Sequence, residues 1–203
     1  MDRSLVIFLH GVNAAGSQLA PLGDGWRGIL PQTAFAAPDA PFASARGGRQ
    51  WFSLEGVTRE SRPHRIAAAR PAFDALMGEI VAAHGLSADL GRVALVGFSQ
   101  GAMMALDALV SGRWPVAAVV AFSGRLSSPP PLTPPPGAGV LLIHGADDAA
   151  IPCQESRDAA LALQALGVRT QVKILPGVNH QLTQEGAALA GAFLAERLTA
   201  GGA

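Results

Sequence analysis

The sequence predicts an α/β fold, a mostly parallel sheet of about six or seven strands flanked by helices on both faces. Three observations predict it: apolar runs of strand length that do not alternate, helical segments between them, and a glycine-flanked serine where a run meets a helix. The runs lie at Leu5–Leu9, Thr33–Ala37, Arg92–Gly97, Val116–Phe122, Gly139–His144 and Thr170–Leu175. Most are rich in Val, Ile or Leu. Continuous apolarity marks strands covered on both faces, because a sheet with one wet side alternates. Between the runs, Ala102–Val110 reads as a helix, and so does Pro152–Leu166, with Pro near its first turn and Gly167 just past its end. Ile66, Phe73, Leu76, Met77, Ile80 and Val81 recur at helical spacing, with Gly85 as a cap and Pro71 expected to kink the helix or mark its start. Pro38–Arg62 and the proline-rich Pro129–Pro136 read as irregular, the latter as a stiff surface connection rather than a docking ligand. Strands alternating with helices imply right-handed crossovers and a doubly wound sheet, whose ligands bind beyond the carboxyl ends of the strands.

At 203 residues and 49% hydrophobic content, the chain is expected to form one domain over residues 1–203, with enough apolar material to bury such a sheet. Basic and acidic residues balance at 15 each, which argues against the strong positive field that draws a protein to nucleic acid or to anionic membrane. The expected partner is a small, largely uncharged molecule. Cys153, the one cysteine, has no mate for an internal disulfide and fits no metal-ligand spacing. No metal or other cofactor is expected, and a reducing cytoplasm is the expected location. The apolar run near the start is too short for a signal peptide, and no stretch approaches the roughly 18 consecutive apolar residues that cross a bilayer.

Gly97-Phe98-Ser99-Gln100-Gly101 forms a G-x-S-x-G sequence. In a chain with 24 glycines the letters alone carry little weight. Their placement, directly after an apolar run and directly before a helical one, carries more. A strand that turns abruptly into a helix forces the central residue into a strained conformation, and glycine at both flanks relieves the crowding. The serine hydroxyl then stands above the sheet, with backbone N–H groups and the positive end of the helix dipole beside any negative charge that develops. The competing reading is a glycine-rich helix start with Ser99 as its cap.

A serine hydroxyl needs a base within hydrogen-bond reach to act as a nucleophile. In hydrolases built on such a turn, the acid and then the histidine follow the serine along the chain. After Ser99 only His144 and His180 remain. His144 closes a strand and precedes the best acid candidates, so His180, in the turn-rich segment Pro176–His180, is the base by elimination. The acid must sit on a loop after a strand and hold the imidazole in one tautomer. The loop after His144 offers Asp147 and Asp148, and spacing does not decide between them, whereas Asp107 and Asp158 fall inside predicted helices. The oxyanion of a tetrahedral intermediate needs two aimed donors, and losing one typically costs roughly 3 kcal/mol of barrier stabilisation. Gln100 N–H is the first, and Val12 N–H, from the loop after the opening strand, is the second. The chain has no tyrosine, which excludes an oxyanion hole built on a phenol.

Together these residues resemble the phospholipase/carboxylesterase family of α/β-hydrolases, which includes acyl-protein thioesterases. The blocks that carry the resemblance run in order through almost the whole chain: Phe8-Leu9-His10-Gly11, Pro38-Asp39-Ala40-Pro41, Trp51-Phe52, Gly97 to Gly101, Phe122-Ser123-Gly124, His144-Gly145 with Asp148 and Pro152, and His180. The resemblance implies that the acid is the fourth residue after the histidine of His144-Gly145, which selects Asp148. It also implies Val12 and Gln100 as oxyanion donors, and it places Trp51 and Phe52 beside the substrate pocket. Two positions depart from the pattern: Ser53 stands where an Asp is common, and Ala102 where a second Gly is common. The expected activity is that of a cofactor-free serine carboxylesterase acting on small or short-to-medium-chain esters through an acyl-enzyme on Ser99. Acyl thioesterase or lysophospholipase activity with the same residues is the alternative, and a non-catalytic ligand-binding protein on the same fold is the reading from another class.

Overall fold

The computed structural model describes residues 4–199. Along the chain the elements run β1 (Ser4–Leu9), α1 (Ala20–Trp26), β2 (Thr33–Ala36), β3 (Phe42–Ala43), β4 (Arg49–Gln50), α2 (Arg62–Ala83), β5 (Val93–Phe98), α3 (Gln100–Val110), β6 (Ala118–Phe122), β7 (Gly139–Gly145), α4 (Gln154–Ala165), β8 (Arg169–Leu175) and α5 (Gln184–Thr199). Six strands make one sheet in the order β2-β1-β5-β6-β7-β8, every neighbouring pair parallel. The order reverses at β1, with β2 on one side and β5 on the other. That reversal opens a crevice beyond the strand ends, the place where open α/β sheets bind ligands.

The absence of alternation in the strands has a direct structural cause. Leu5, Ile7 and Leu9 of β1 point into one apolar core with Phe73 and Met77 of α2, Met104 and Leu109 of α3, and Leu163 of α4. Val6 and Phe8 of the same strand point into a second core with Trp26 of α1 and Phe193 and Leu194 of α5. Each large side chain so buried contributes about 1.5–3 kcal/mol, so both faces must be apolar. Strand β8 lies at the sheet edge, where Arg169, Gln171 and Lys173 are exposed. Charged and polar residues there discourage pairing with another chain.

Three features depart from the sequence reading. Helix α2 runs unbroken from Arg62 through Pro71, so Pro71 does not mark its start. Pro38–Arg62 is not wholly irregular, since β3 and β4 pair as an antiparallel hairpin turned by Gly47 and Gly48, both at positive φ. Helices α1 and α5 carry no apolar periodicity that marks them in the sequence. Glycine weakens a helical signal, yet here it permits the contact: a Cβ on Gly191 of α5 would stand 2.8 Å from Trp26 Nε1, and that nitrogen donates to the Ala187 carbonyl at 3.0 Å. The Pro129–Pro136 run connects β6 to β7 against the molecule's own body, with Thr133 N–H donating to Val110 O at 2.7 Å and Leu132 packed on the core.

Candidate active site

The end of β5 and the start of α3 leave one residue between them, Ser99, at φ 53° and ψ −112°. A non-glycine residue there carries backbone strain of about 1–3 kcal/mol and persists only where its surroundings hold it. They do. Ser99 N–H donates to Phe122 O at 2.9 Å, and Ser99 O accepts from Met103 N–H at 3.2 Å. The flanking glycines are required by close approach, because a Cβ on Gly97 would collide with the Gly101–Ala102 backbone and one on Gly101 with the Leu9 carbonyl. The methyl of Ala102 sits 2.5 Å from where a Gly124 Cβ would stand, so the residue facing it has to be glycine.

Five strand ends supply the surrounding groups. The turn after β1 brings Gly11 against the elbow, its Cβ position 3.5 Å from Ser99 Cβ, with Val12 next along the chain. His10 holds that turn. Its Nε2 accepts from Ala40 N–H at 2.9 Å, so the ring proton is on Nδ1, which donates to Gly11 O at 2.6 Å. Gln100 opens α3, and the N–H of a first helical residue has no partner within its own helix. Its side chain does something the sequence reading missed. The carboxamide accepts from Trp51 N–H at 2.8 Å and donates to Phe52 O at 2.7 Å, clamping that segment to the elbow. Trp51 and Phe52 themselves are 1% and 4% exposed and belong to the core, the indole also donating to His10 O at 2.8 Å.

Beyond β7, the loop carries Asp147 and Asp148, and they part company. Asp147 is exposed, while Asp148 is buried and its Oδ2 accepts from His180 Nδ1 at 2.7 Å. Oδ1 accepts the N–H groups of Ala150 and Ile151 at 2.9 and 2.8 Å. Burial alone would push the Asp148 carboxyl up, but Ile151 N–H, His180 and Ala150 N–H together hold it below the ordinary value. A second imidazole, His144 at the end of β7, lies on the same carboxylate, and desolvation pushes it down toward the neutral form. His180 follows β8, on a segment pressed against β7: Asp147 N–H donates to Val178 O at 3.0 Å, and a Cβ on Gly145 would strike Val178 O. Its ring packs on Phe98, the residue before Ser99, with centroids 5.0 Å apart. Ser99 Oγ makes no hydrogen bond among the described residues; such contacts commonly tighten only when substrate is bound.

No group of three or more His, Cys, Asp or Glu among the described residues is placed to hold a metal ion. None of the described helices is long and apolar enough to cross a membrane. The arrangement offers a serine held at a strained strand-to-helix turn and, packed on the residue before it, an imidazole bonded to a buried carboxylate.

Known proteins resemble this chain closely. Esterase YpfH of Escherichia coli K12 is 29% identical over 181 residues, covering 89% of this chain and 77% of its own length. Acyl-protein thioesterase 1 of Gibberella zeae is 26% identical over 218 residues, covering 95% and 90%. Among solved structures, esterase PE8 is 37% identical with a TM-score of 0.82, over 97% of this chain and 93% of that one. The model of the phospholipase/carboxylesterase family matches residues 1–198, and the chain belongs to that family of α/β-hydrolases.

Proposed function

We propose that this hydrolase is a serine carboxylesterase that cleaves small or short-to-medium-chain esters through an acyl-enzyme on Ser99. The observation that carries the reading is the 2.7 Å bond from His180 Nδ1 to Asp148, which leaves Nε2 as the basic nitrogen of a ring packed beside the Ser99 elbow. His180 takes the hydroxyl proton as Ser99 attacks the carbonyl, and then delivers it to the leaving alcohol. Water, deprotonated by the same imidazole, releases the acid. Asp148 stabilises the imidazolium without itself taking the proton. The N–H groups of Val12 and Gln100 receive the oxyanion, and Trp51 and Phe52 form the wall behind the acyl group. No cofactor enters these steps. The partner is a small ester rather than nucleic acid, and the expected compartment is the reducing cytoplasm.

Hydrolysis of p-nitrophenyl esters of rising chain length, with fluorophosphonate labelling, tests this. Ser99→Ala is expected to lower turnover by about 10⁴–10⁶-fold and to abolish labelling, with the fold intact. Retained hydrolysis would refute the nucleophile, and a wild-type protein that neither labels nor turns over would favour a binding role. Thioester hydrolysis is the second reading, favoured by the similarity to an acyl-protein thioesterase. Esters and thioesters of matched acyl length separate the two.

A further inference from the structure

Two of the buried polar side chains with no part in that chemistry lie against Asp148 and its neighbour in the pocket. His144 and Ser156 are 1% and 2% exposed, the first at the end of β7 and the second in the first turn of α4. Their hydrogen bonds define the ring's protonation. His144 Nε2 lies 2.8 Å from Ile151 O, which can only accept, so Nε2 carries the proton. In the neutral ring Nδ1 is then the acceptor, and the Ser156 hydroxyl donates to it at 2.7 Å. Nε2 also lies 3.2 Å from Asp148 Oδ2, the oxygen that receives His180 Nδ1–H.

We propose that His144, locked as the Nε2–H tautomer by the Ile151 carbonyl, is a positioning residue that holds the Asp148 carboxylate in the plane from which it orients His180. The inference rests on the reading of Asp148 as the orienting acid. A carboxylate rotates about a broad, two-fold torsion. Backbone donors from Ala150 and Ile151 grip only Oδ1. Oδ2, the working oxygen, is met by His180 Nδ1 at 2.7 Å and, on its other side, by His144 Nε2 at 3.2 Å. The other tautomer would turn an Nε2 lone pair toward Oδ2 and the Ile151 carbonyl at once, two repulsive contacts. Those contacts exclude it, and the Ser156 hydroxyl, able to donate or accept, completes the bonding of the ring at Nδ1.

Two substitutions separate donation from bulk. His144→Gln keeps an amide N–H near the position of Nε2 and has nothing to titrate, so kcat should stay within about threefold of wild type. His144→Leu keeps volume without a donor, and kcat should fall by about 10–100-fold with KM unchanged, the penalty of a misplaced catalytic group. Nitrogen-15 NMR of wild-type protein at neutral pH reads the tautomer directly, whatever the variants do. Nε2–H on His144, kept in Ser156→Ala because the Ile151 carbonyl is unchanged, is the expected result. A charged ring, or a proton on Nδ1, overturns the proposal. Asp148→Asn is measured alongside. If it keeps full turnover, the reading of the acid falls and takes this inference with it; if it loses turnover while His144→Leu does not, the inference falls alone.

Discussion

Asp148 and His144 share a pocket, and their displaced titrations make folding stability depend on pH in two separate windows. The His144 imidazole is pushed below its ordinary value by burial. The unfolded chain therefore takes up that proton first, and the fold loses stability as pH falls below about 6.5 until the folded imidazole also protonates. The Asp148 carboxyl is held low in the fold, so its contribution is present above about pH 4 and is lost as pH falls through the lower, folded value. Melting temperatures measured from pH 7 to pH 5 should fall less steeply in His144→Gln than in wild type. Parallel slopes would mean that the ring is not buried neutral. The pocket also marks the limit of what residue types reveal. Asp147 and Asp148 are indistinguishable by spacing, and only the path of the loop after β7 leaves one exposed and the other on His180. His144 reads from the sequence as a strand end, because its partners Ser156 and Ile151 belong to a helix and a loop that carry no periodic signal pointing back at it.

Elements were legible where burial imposed a pattern. The central strands register as apolar runs because each faces two cores, whereas edge strand β8 alternates, with Arg169, Gln171 and Lys173 exposed. Two-residue strands β3 and β4 are too short for any period, and α1 and α5 are diluted by glycines, of which Gly191 lets α5 meet Trp26 of α1. The same close approach governs the junction of β5 with α3. Gly101 lies against the last carbonyl of β1, so Gly101→Ala has no room to place its methyl without parting the elbow from the turn that carries Val12. Overpacking of this kind costs about 1–3 kcal/mol, and a displacement near 1 Å at a reacting centre lowers turnover by about 100-fold. The variant should therefore fold with a reduced melting temperature and lose esterase activity out of proportion to that loss. Wild-type kcat/KM in a folded Gly101→Ala protein would show that the packing of β1 on the elbow is not what aligns the site.

At the scale of the whole molecule, the groups that make the site and the groups that hold the helices to the sheet occupy opposite ends of α3. Ser99 stands at its start; Asp107, two turns on and about 12 Å along the axis, is fully buried. Arg70 of α2 binds Asp107 through two hydrogen bonds of 3.0 and 2.8 Å, Arg113 adds a third at 2.9 Å, and Asp74 of α2 closes the cluster by pairing with Arg113 and accepting from Trp114 Nε1 at 2.6 Å. Removing one partner of a buried pair leaves uncompensated charge behind. Both guanidinium groups keep some contact with water, 24% and 21% exposed, so Asp107→Asn should cost about 3 kcal/mol, the low end for such a break. For a chain of this size that lowers the melting temperature by about 6–12 °C. Because the elbow is braced from its own end, by Phe122 O, the Leu9 carbonyl and the Gln100 clamp, kcat/KM at 25 °C should remain within about twofold of wild type, as for sites with no shared partners. Calorimetry and p-nitrophenyl ester kinetics on the same preparation check both halves. An unchanged melting temperature with lost activity would mean that the cluster serves the site rather than the fold.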